Sequence, residues 1–322
     1  METVDFNDRN PLLHGAYVYR MVLQHEYQHN ETILQTLQLK QGMPYRAPRS
    51  RWRPSGLART GPEMVRFGGG RVEVGTQDRS AAYDNERPRH ERELAPFWMD
   101  VYPVSNGDFL QFIHDGGYDD RALWSDAGWA WKEQDAAFAP KYWMRDGHEW
   151  CVRVMDTVSS LDRNRAVCHV SYHEAEAFAR FAGKRLPTEY EWEVASGWNP
   201  VTRRMQEFPW GDAPATHERA NVDQLSFGVA APGAYADNWS PLGCYGMIGD
   251  VWEWTSSDFH GYPGYRTFPY PEYSEVFFGD EYKVLRGGSW ATRPGAIRNS
   301  FRNWDYPIRR QIFSGFRCAR DG

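Results

Sequence analysis

The residues whose spacing speaks most directly of chemistry are His25 and His29, in the run Met21-Val-Leu-Gln-His-Glu-Tyr-Gln-His-Asn-Glu-Thr-Ile-Leu34. Histidines at i and i+4 sit one turn apart on one face of a helix, where their ring nitrogens can converge on one ion such as Zn, Fe, Cu or Ni. The apolar residues Val18, Met21, Val22, Ile33 and Leu37 recur at three- and four-residue steps. Positions 25 and 29 continue that ladder, so both imidazoles are expected to face inward. The plainer alternative is a pair of hydrogen-bonded core histidines, but a stacked pair beside Gln28 and Glu31 favours a metal site.

The helix that must position them is expected to run from Pro11 to Lys40. Asn10 can cap its exposed amides and Pro11 lacks the amide that would go unpaired, while Gly42 and Pro44 follow its end. A helix this long with one apolar face needs partner helices, as in a bundle. Only ten residues precede it, so its partners lie further along the chain or the chain begins inside a domain.

At 322 residues the chain exceeds the usual single-domain size, and its net charge of −6 argues against nucleic acid as the main partner. No apolar run approaches a membrane span and the first residues lack the features of a signal peptide, so a cytoplasmic protein is expected. Cys151, Cys168, Cys244 and Cys318 form no close pair and read as reduced structural thiols. Arg46, Arg49, Arg51 and Arg53, among Pro44, Pro48 and Pro54, read as a solvated linker over residues 44–62.

Beyond residue 63 the pattern changes. Aromatic residues make up 16% of the chain, with 15 Trp and 29 Gly, and turn signals interrupt nearly every segment, which predicts a loop-rich body. Ser171-Tyr-His-Glu174 is a capping box opening a helix through Ala182, and Thr188-Glu-Tyr-Glu191 opens another through Ala195. Short strands are expected at 65–67, 71–74, 97–101 and 283–285, with no tandem repeat.

The succession Gly68-Gly-Gly70, Asp84-Asn-Glu-Arg-Pro88, Pro103-Val-Ser-Asn106, Arg185-Leu-Pro-Thr-Glu-Tyr-Glu-Trp-Glu193, Phe208-Pro-Trp-Gly211, Gly249-Asp-Val-Trp-Glu-Trp254, Leu285-Arg-Gly-Gly-Ser-Trp290 and Gly315-Phe-Arg317 resembles the formylglycine-generating-enzyme type (sulfatase-modifying-factor) domain, a variant of the C-type lectin fold. Joined to a helix bearing His-x-x-x-His-x-Glu, it resembles the ergothioneine-biosynthesis sulfoxide synthases, which place a DinB-like helical bundle before that domain and bind non-haem Fe(II) between the two. The resemblance implies an α+β protein: residues 1–43 as part of an incomplete DinB-like bundle, 44–62 as linker, and 63–322 as the loop-rich C-type-lectin-like domain.

It also implies an oxidoreductase that joins the sulfur of γ-glutamylcysteine to the imidazole of Nα-trimethylhistidine (hercynine) with O2, forming a sulfoxide. A facial set of three imidazoles on an octahedral ion leaves three positions open, which suits Fe(II). By match to the family motifs, His25 and His29 would be two ligands, Gln28 would touch trimethylhistidine, and Glu31 would hold the local network from behind. Within Arg302-Asn-Trp-Asp-Tyr-Pro-Ile-Arg-Arg310, Asn303 and Trp304 would lie near trimethylhistidine, and Asp305 and Arg309 would bind the γ-glutamyl group. Arg suits a carboxylate, Asp an ammonium, and a Trp face a quaternary ammonium. The plainer reading is a surface loop with an internal Asp305–Arg309 ion pair. Tyr270 matches the family's catalytic tyrosine, a proton donor, and Tyr273 a substrate contact.

The family's third histidine and its bundle arginines come from a region upstream of the His-x-x-x-His helix that this sequence lacks. His14 is roughly 16 Å from His25 along the same helix, and His90, His114, His148, His169, His173, His217 and His260 match no family motif. A chain beginning at an internal Met, nearly inactive by itself, is the expected explanation, ahead of a two-chain enzyme. A formylglycine-generating enzyme would need a reactive cysteine pair where this sequence reads Ser300-Phe-Arg-Asn-Trp-Asp305. A non-catalytic lectin-like module would have no need of the histidines, and a related synthase using cysteine or histidine is the nearest rival. Calcium near Asp250 and Glu253 is suggested by family analogy, against a packing role for Trp-Glu-Trp.

Overall fold

The computed structural model describes residues 5–6, 9–48 and 59–322. Arg49, Arg51 and Arg53 of the expected linker lie outside the described residues. Its described flanks are tied to the body: the Ala47 amide donates to Asp156 (3.3 Å), and Arg59 donates to the Pro103 carbonyl (2.9 Å).

The first helix, α1, spans Tyr17–Leu39, six residues shorter at its start than the sequence suggests. Gly15 and Ala16 both adopt φ of 61°, a left-handed turn that separates the Asn10 cap from the helix. Asn10 caps only the local turn, accepting from the Leu12 amide at 3.0 Å. The break lets Tyr17 turn into the core, fully buried against Phe268.

The body follows as β1 (Met64–Phe67), β2 (Gly70–Val74), β3 (His90–Leu94), β4 (Phe97–Asp100), α2 (Asn106–His114), α3 (Asp126–Asp135), β5 (Trp143–Asp146), β6 (Glu149–Val154), β7 (Thr157–Ser160), α4 (Tyr172–Phe181), α5 (Glu189–Gly197), β8 (Trp198–Asn199), β9 (Arg204–Met205), β10 (Trp252–Phe259), β11 (Gly279–Arg286), β12 (Asn303–Asp305), β13 (Ser314–Gly315) and β14 (Ala319–Asp321). Both capping boxes form, with Ser171 accepting from the Glu174 amide and Thr188 from that of Glu191. The four expected strands are β1, β2, β4 and part of β11. Helices α2 and α3 and the β5–β6–β7 meander are additions that sequence pattern did not single out.

The strands form small sheets in the orders β1-β4-β14, β12-β11-β10-β13, β2-β3, β5-β6-β7 and β8-β9. The second matters most for function, because β11 pairs Lys283 with Asp305, Val284 with Trp304 and Leu285 with Asn303. Gly287, at φ 93°, ends β11 beside Gly249, which donates its amide to the Gly287 carbonyl at 2.9 Å. A Cβ on Gly287 would stand 2.5 Å from the Met247 carbonyl oxygen, so that close crossing demands glycine.

The charged residues of the motifs are mostly buried structural pairs. Arg185 forks onto Glu191, Arg286 pairs with Glu193, Arg302 forks onto Glu189, and Arg317 forks onto Glu253. Fork-to-carboxylate geometry fixes direction as well as distance, which suits a body with so little regular structure. Glu253 also accepts from Trp192 Nε1 at 2.7 Å. Both its oxygens are therefore engaged by protein donors, the packing role weighed against calcium. Asp250 accepts from Asn221 and the Ala230 amide, and burial raises its pKa to about 6.

Candidate active site

Helix α1 docks through a different face from the one its apolar ladder predicts. Its buried residues are Tyr17, Met21, Gln24, Glu31, Leu34 and Gln38, while Val22 and Ile33 are 55% and 58% exposed. The cause is the surface it meets. Gln24 accepts from Arg298 (2.9 Å) and Gln38 from the Met155 amide (2.6 Å). Glu31 accepts from Trp252 Nε1 (2.8 Å), Ser289 (2.7 Å) and Thr292 (2.6 Å). These three polar residues share the docked face, and their buried groups are satisfied by the body's own donors. Glu31 therefore anchors the helix to the body, and burial raises its pKa.

The docking leaves His25 half-buried and His29 exposed, a correction to the expectation that both face inward. Their ring centroids are 4.5 Å apart with the planes 40° to each other, close enough for adjacent positions on one ion. Burial, then the neighbouring His29, lowers the pKa of His25, which favours the neutral ring that can donate a lone pair. Among the described residues no group of three or more His, Cys, Asp or Glu side chains is arranged to hold a metal. The pair thus fits two positions on an ion, with no third such donor grouped with it.

One wall of the site is tyrosine. The His25 ring meets Tyr273 edge-on at 6.1 Å, and Tyr273 stacks on Tyr83 at 4.1 Å. Gln28 donates its amide to Tyr273 Oη at 2.9 Å and to Tyr83 Oη at 3.3 Å. Burial raises the pKa of both phenols, keeping them protonated donors. Tyr83 escaped the sequence reading; its only signal was its place immediately before the Asp84-Asn-Glu-Arg-Pro88 motif.

Trp304 continues the wall, edge-on to Tyr273 at 6.1 Å. One of its faces is already covered by Phe259, stacked at 4.1 Å, which limits the area free for a quaternary ammonium. Asn303 and Asp305 flank it on β12 and are half-buried. Asp305 faces Arg309 at 3.5 Å, the internal ion pair foreseen as the plainer reading. The separation is long for a charge-assisted hydrogen bond, and both side chains remain partly exposed, so an amino-acid head group bearing both charges could meet each partner. Burial raises the Asp305 pKa to about 6, opposed by the Tyr306 amide and Arg309. Tyr270 lies one step before the turn Pro271–Tyr273 and is 39% exposed, with no hydrogen bond to its hydroxyl among the described residues.

The structure thus brings His25, His29, Gln28, Tyr273 and Trp304 into one run of contacts, to which Asn303 and Asp305 connect along β12, Arg309 through Asp305, and Tyr270 through its turn. The cysteines are free; Cys151, Cys244 and Cys318 are buried and Cys168 is partly so. Burial holds the Cys318 thiol well above its usual range, which is unlike a reactive cysteine. No helix among the described residues is long and apolar enough to cross a membrane.

Comparison with known proteins shows the family of the chain. Residues 52–322 match the sulfatase-modifying factor enzyme 1-like domain. The hercynine oxygenase of Mycolicibacterium thermoresistibile is 43% identical over 323 residues, covering 99% of this chain and 72% of that protein. That of Mycobacterium tuberculosis is 43% identical over 308 residues, 95% of this chain and 72% of its own. The formylglycine-generating enzyme of Thermomonospora curvata is 32% identical over 292 residues, 80% of this chain and 93% of its own. The structure of PvdO from Pseudomonas aeruginosa shares the fold, with a TM-score of 0.57 at 21% identity, covering 81% of this chain and 95% of that one. The chain therefore belongs to the sulfatase-modifying factor enzyme 1-like family, with hercynine oxygenases among its relatives.

Proposed function

We propose that this protein is an Fe(II)- and O2-dependent sulfoxide synthase that joins the sulfur of γ-glutamylcysteine to the imidazole carbon of Nα-trimethylhistidine. The observation that carries the reading is the His25–His29 pair, with rings 4.5 Å apart, set directly against the Gln28–Tyr273 wall. The balance is one thiol S–H and one imidazole C–H lost, one C–S and one S–O bond formed, and the second oxygen atom of O2 released in water. Relatives named hercynine oxygenase, 43% identical, support the same class of reaction.

In this reading His25 and His29 would hold two positions of an iron ion, which would supply the redox chemistry that lets O2 react. A third donor would have to approach from the exposed side of α1, the side that carries His29, Val22 and Ile33. Gln28 and Tyr273 orient the trimethylhistidine, with Asn303 and the uncovered part of Trp304 beside it. Asp305 takes the ammonium and Arg309 the carboxylate of the γ-glutamyl group, exchanging their mutual pair for the ligand's two charges. Tyr270 Oη donates a proton during coupling.

Competition between γ-glutamylcysteine and cysteine tests the assignment. The protein is expected to prefer γ-glutamylcysteine, and Arg309→Ala to weaken thiol use by roughly 1.5–3 kcal/mol while leaving trimethylhistidine binding largely intact. Equal use of the two thiols by the unaltered protein would point to the synthase that takes free cysteine.

A further inference from the structure

The first residue of the motif Asp84-Asn-Glu-Arg-Pro88 is buried and forms no salt bridge with a Lys or Arg among the described residues. A buried carboxylate without a cation is costly unless hydrogen bonds replace its water. The three donors that reach the Asp84 carboxylate among the described residues come from one loop. Oδ1 accepts from Ser274 Oγ at 2.5 Å, and Oδ2 accepts from Tyr265 Oη at 2.7 Å and from the Phe268 amide at 3.0 Å. That loop carries Tyr270 and Tyr273.

We propose that Asp84 is the positioning residue that fixes the 265–274 loop, and with it Tyr270 and Tyr273, against the histidine-bearing helix. Its neighbours strengthen the grip. Asn85 donates to Ser274 Oγ at 3.0 Å, which turns that hydroxyl's own proton towards Asp84. Tyr83 stacks on Tyr273, and the Arg87 guanidinium lies 5.7 Å from the Phe268 ring centre. Within the loop, Thr267 donates to the Glu275 carboxylate and the Ser274 amide to the Pro271 carbonyl, but neither bond engages Tyr270. Pro269 and Pro271 flank Tyr270 and have no amide to donate, and the Tyr270 hydroxyl is unbonded among the described residues. Tyr270 is therefore held from either side, at Phe268 and at Ser274, by the two oxygens of one carboxylate.

This inference rests on the proposed reaction for its catalytic consequence, but the positioning itself can be measured without turnover. Asp84→Ala removes both acceptor oxygens and all three hydrogen bonds, whereas Asp84→Asn keeps one oxygen for Tyr265 and the Phe268 amide and places an amide against Ser274. Hydrogen exchange at residues 265–275 is expected to quicken by at least about tenfold in Asp84→Ala, with β10 and β11 unchanged, and to return close to the unaltered rate in Asp84→Asn. The fraction of consumed O2 that ends in sulfoxide should fall in Asp84→Ala and recover in Asp84→Asn. If Asp84→Ala does not fold, Tyr265→Phe combined with Ser274→Ala removes two of the three ties from the loop side and is read in the same way. Unchanged exchange at 265–275, or exchange raised across the whole molecule alike in both Asp84 variants, would overturn the proposal. Absence of sulfoxide from the unaltered protein would count against the reaction, while the exchange comparison would still decide the role of Asp84.

Discussion

Gln28 on α1 donates its side-chain amide to the hydroxyl of Tyr273, 245 positions further along the chain, at 2.9 Å. That bond joins the element bearing the histidines to the loop bearing the tyrosines. Gln28→Leu leaves the buried Tyr273 and Tyr83 hydroxyls without this partner, which costs roughly 1–3 kcal/mol of stability. In the proposed reaction it also removes a contact to trimethylhistidine. The KM for that substrate should rise about tenfold, equivalent to ~1.4 kcal/mol, with the KM for the thiol little changed. Steady-state kinetics with each substrate varied in turn checks this.

Glu31 should behave as an anchor. Glu31→Leu strands the donors of Trp252, Ser289 and Thr292 in the interior and is expected to lower stability by about 3 kcal/mol. Glu31→Gln keeps an acceptor and should lose less. Chemical denaturation of the two variants separates them, and equal losses would show that the hydrogen bonds matter less than the volume of the side chain.

Tyr270→Phe keeps the ring and removes the proton. Carbon–sulfur coupling should fall while O2 consumption continues through oxidation of the thiol. Product analysis beside O2 uptake distinguishes the two fates, and an unchanged sulfoxide yield would reduce Tyr270 to a packing residue.

Asp305 sets a pH dependence. Burial raises its pKa from 3.8 to about 6, so in the free protein the carboxylate that would bind an ammonium forms only as pH rises through that value. The kcat/KM for γ-glutamylcysteine should therefore climb between about pH 5 and pH 7, and Asp305→Asn should lower the plateau and flatten the climb. The stability effect has the opposite sense. The folded protein holds this proton more tightly than the unfolded chain, so Asp305 favours folding below its ordinary pKa, and that contribution is lost as pH rises through about 6.

Much of this architecture was legible in the sequence because it rests on local rules. The capping boxes at Ser171 and Thr188 and the strands β1, β2 and β4 follow from short patterns. The histidine pair was visible for the same reason, since a four-residue spacing brings two side chains together on any helix. What pattern could not show was which face of α1 meets the body. Hydrophobic periodicity pointed to Val22 and Ile33, but Gln24, Glu31 and Gln38 dock because donors 117 to 274 residues away happen to match them. The charges in the motifs were likewise ambiguous, because a buried Arg–Glu fork and a substrate-binding Arg read alike until the partner is known. Tyr83 and Asp84 were invisible as site residues, since their role is set by a loop nearly two hundred residues downstream.

In the proposed reaction His25 and His29 hold the iron that allows thiol and imidazole to be coupled. That role is tested most directly by mass spectrometry of the products formed from γ-glutamylcysteine, trimethylhistidine and 18O2 with excess Fe(II). The expected product is a coupled sulfoxide carrying one 18O atom, dependent on Fe(II) and lost in His25→Ala and in His29→Ala. A coupled product that persists in both variants would contradict it.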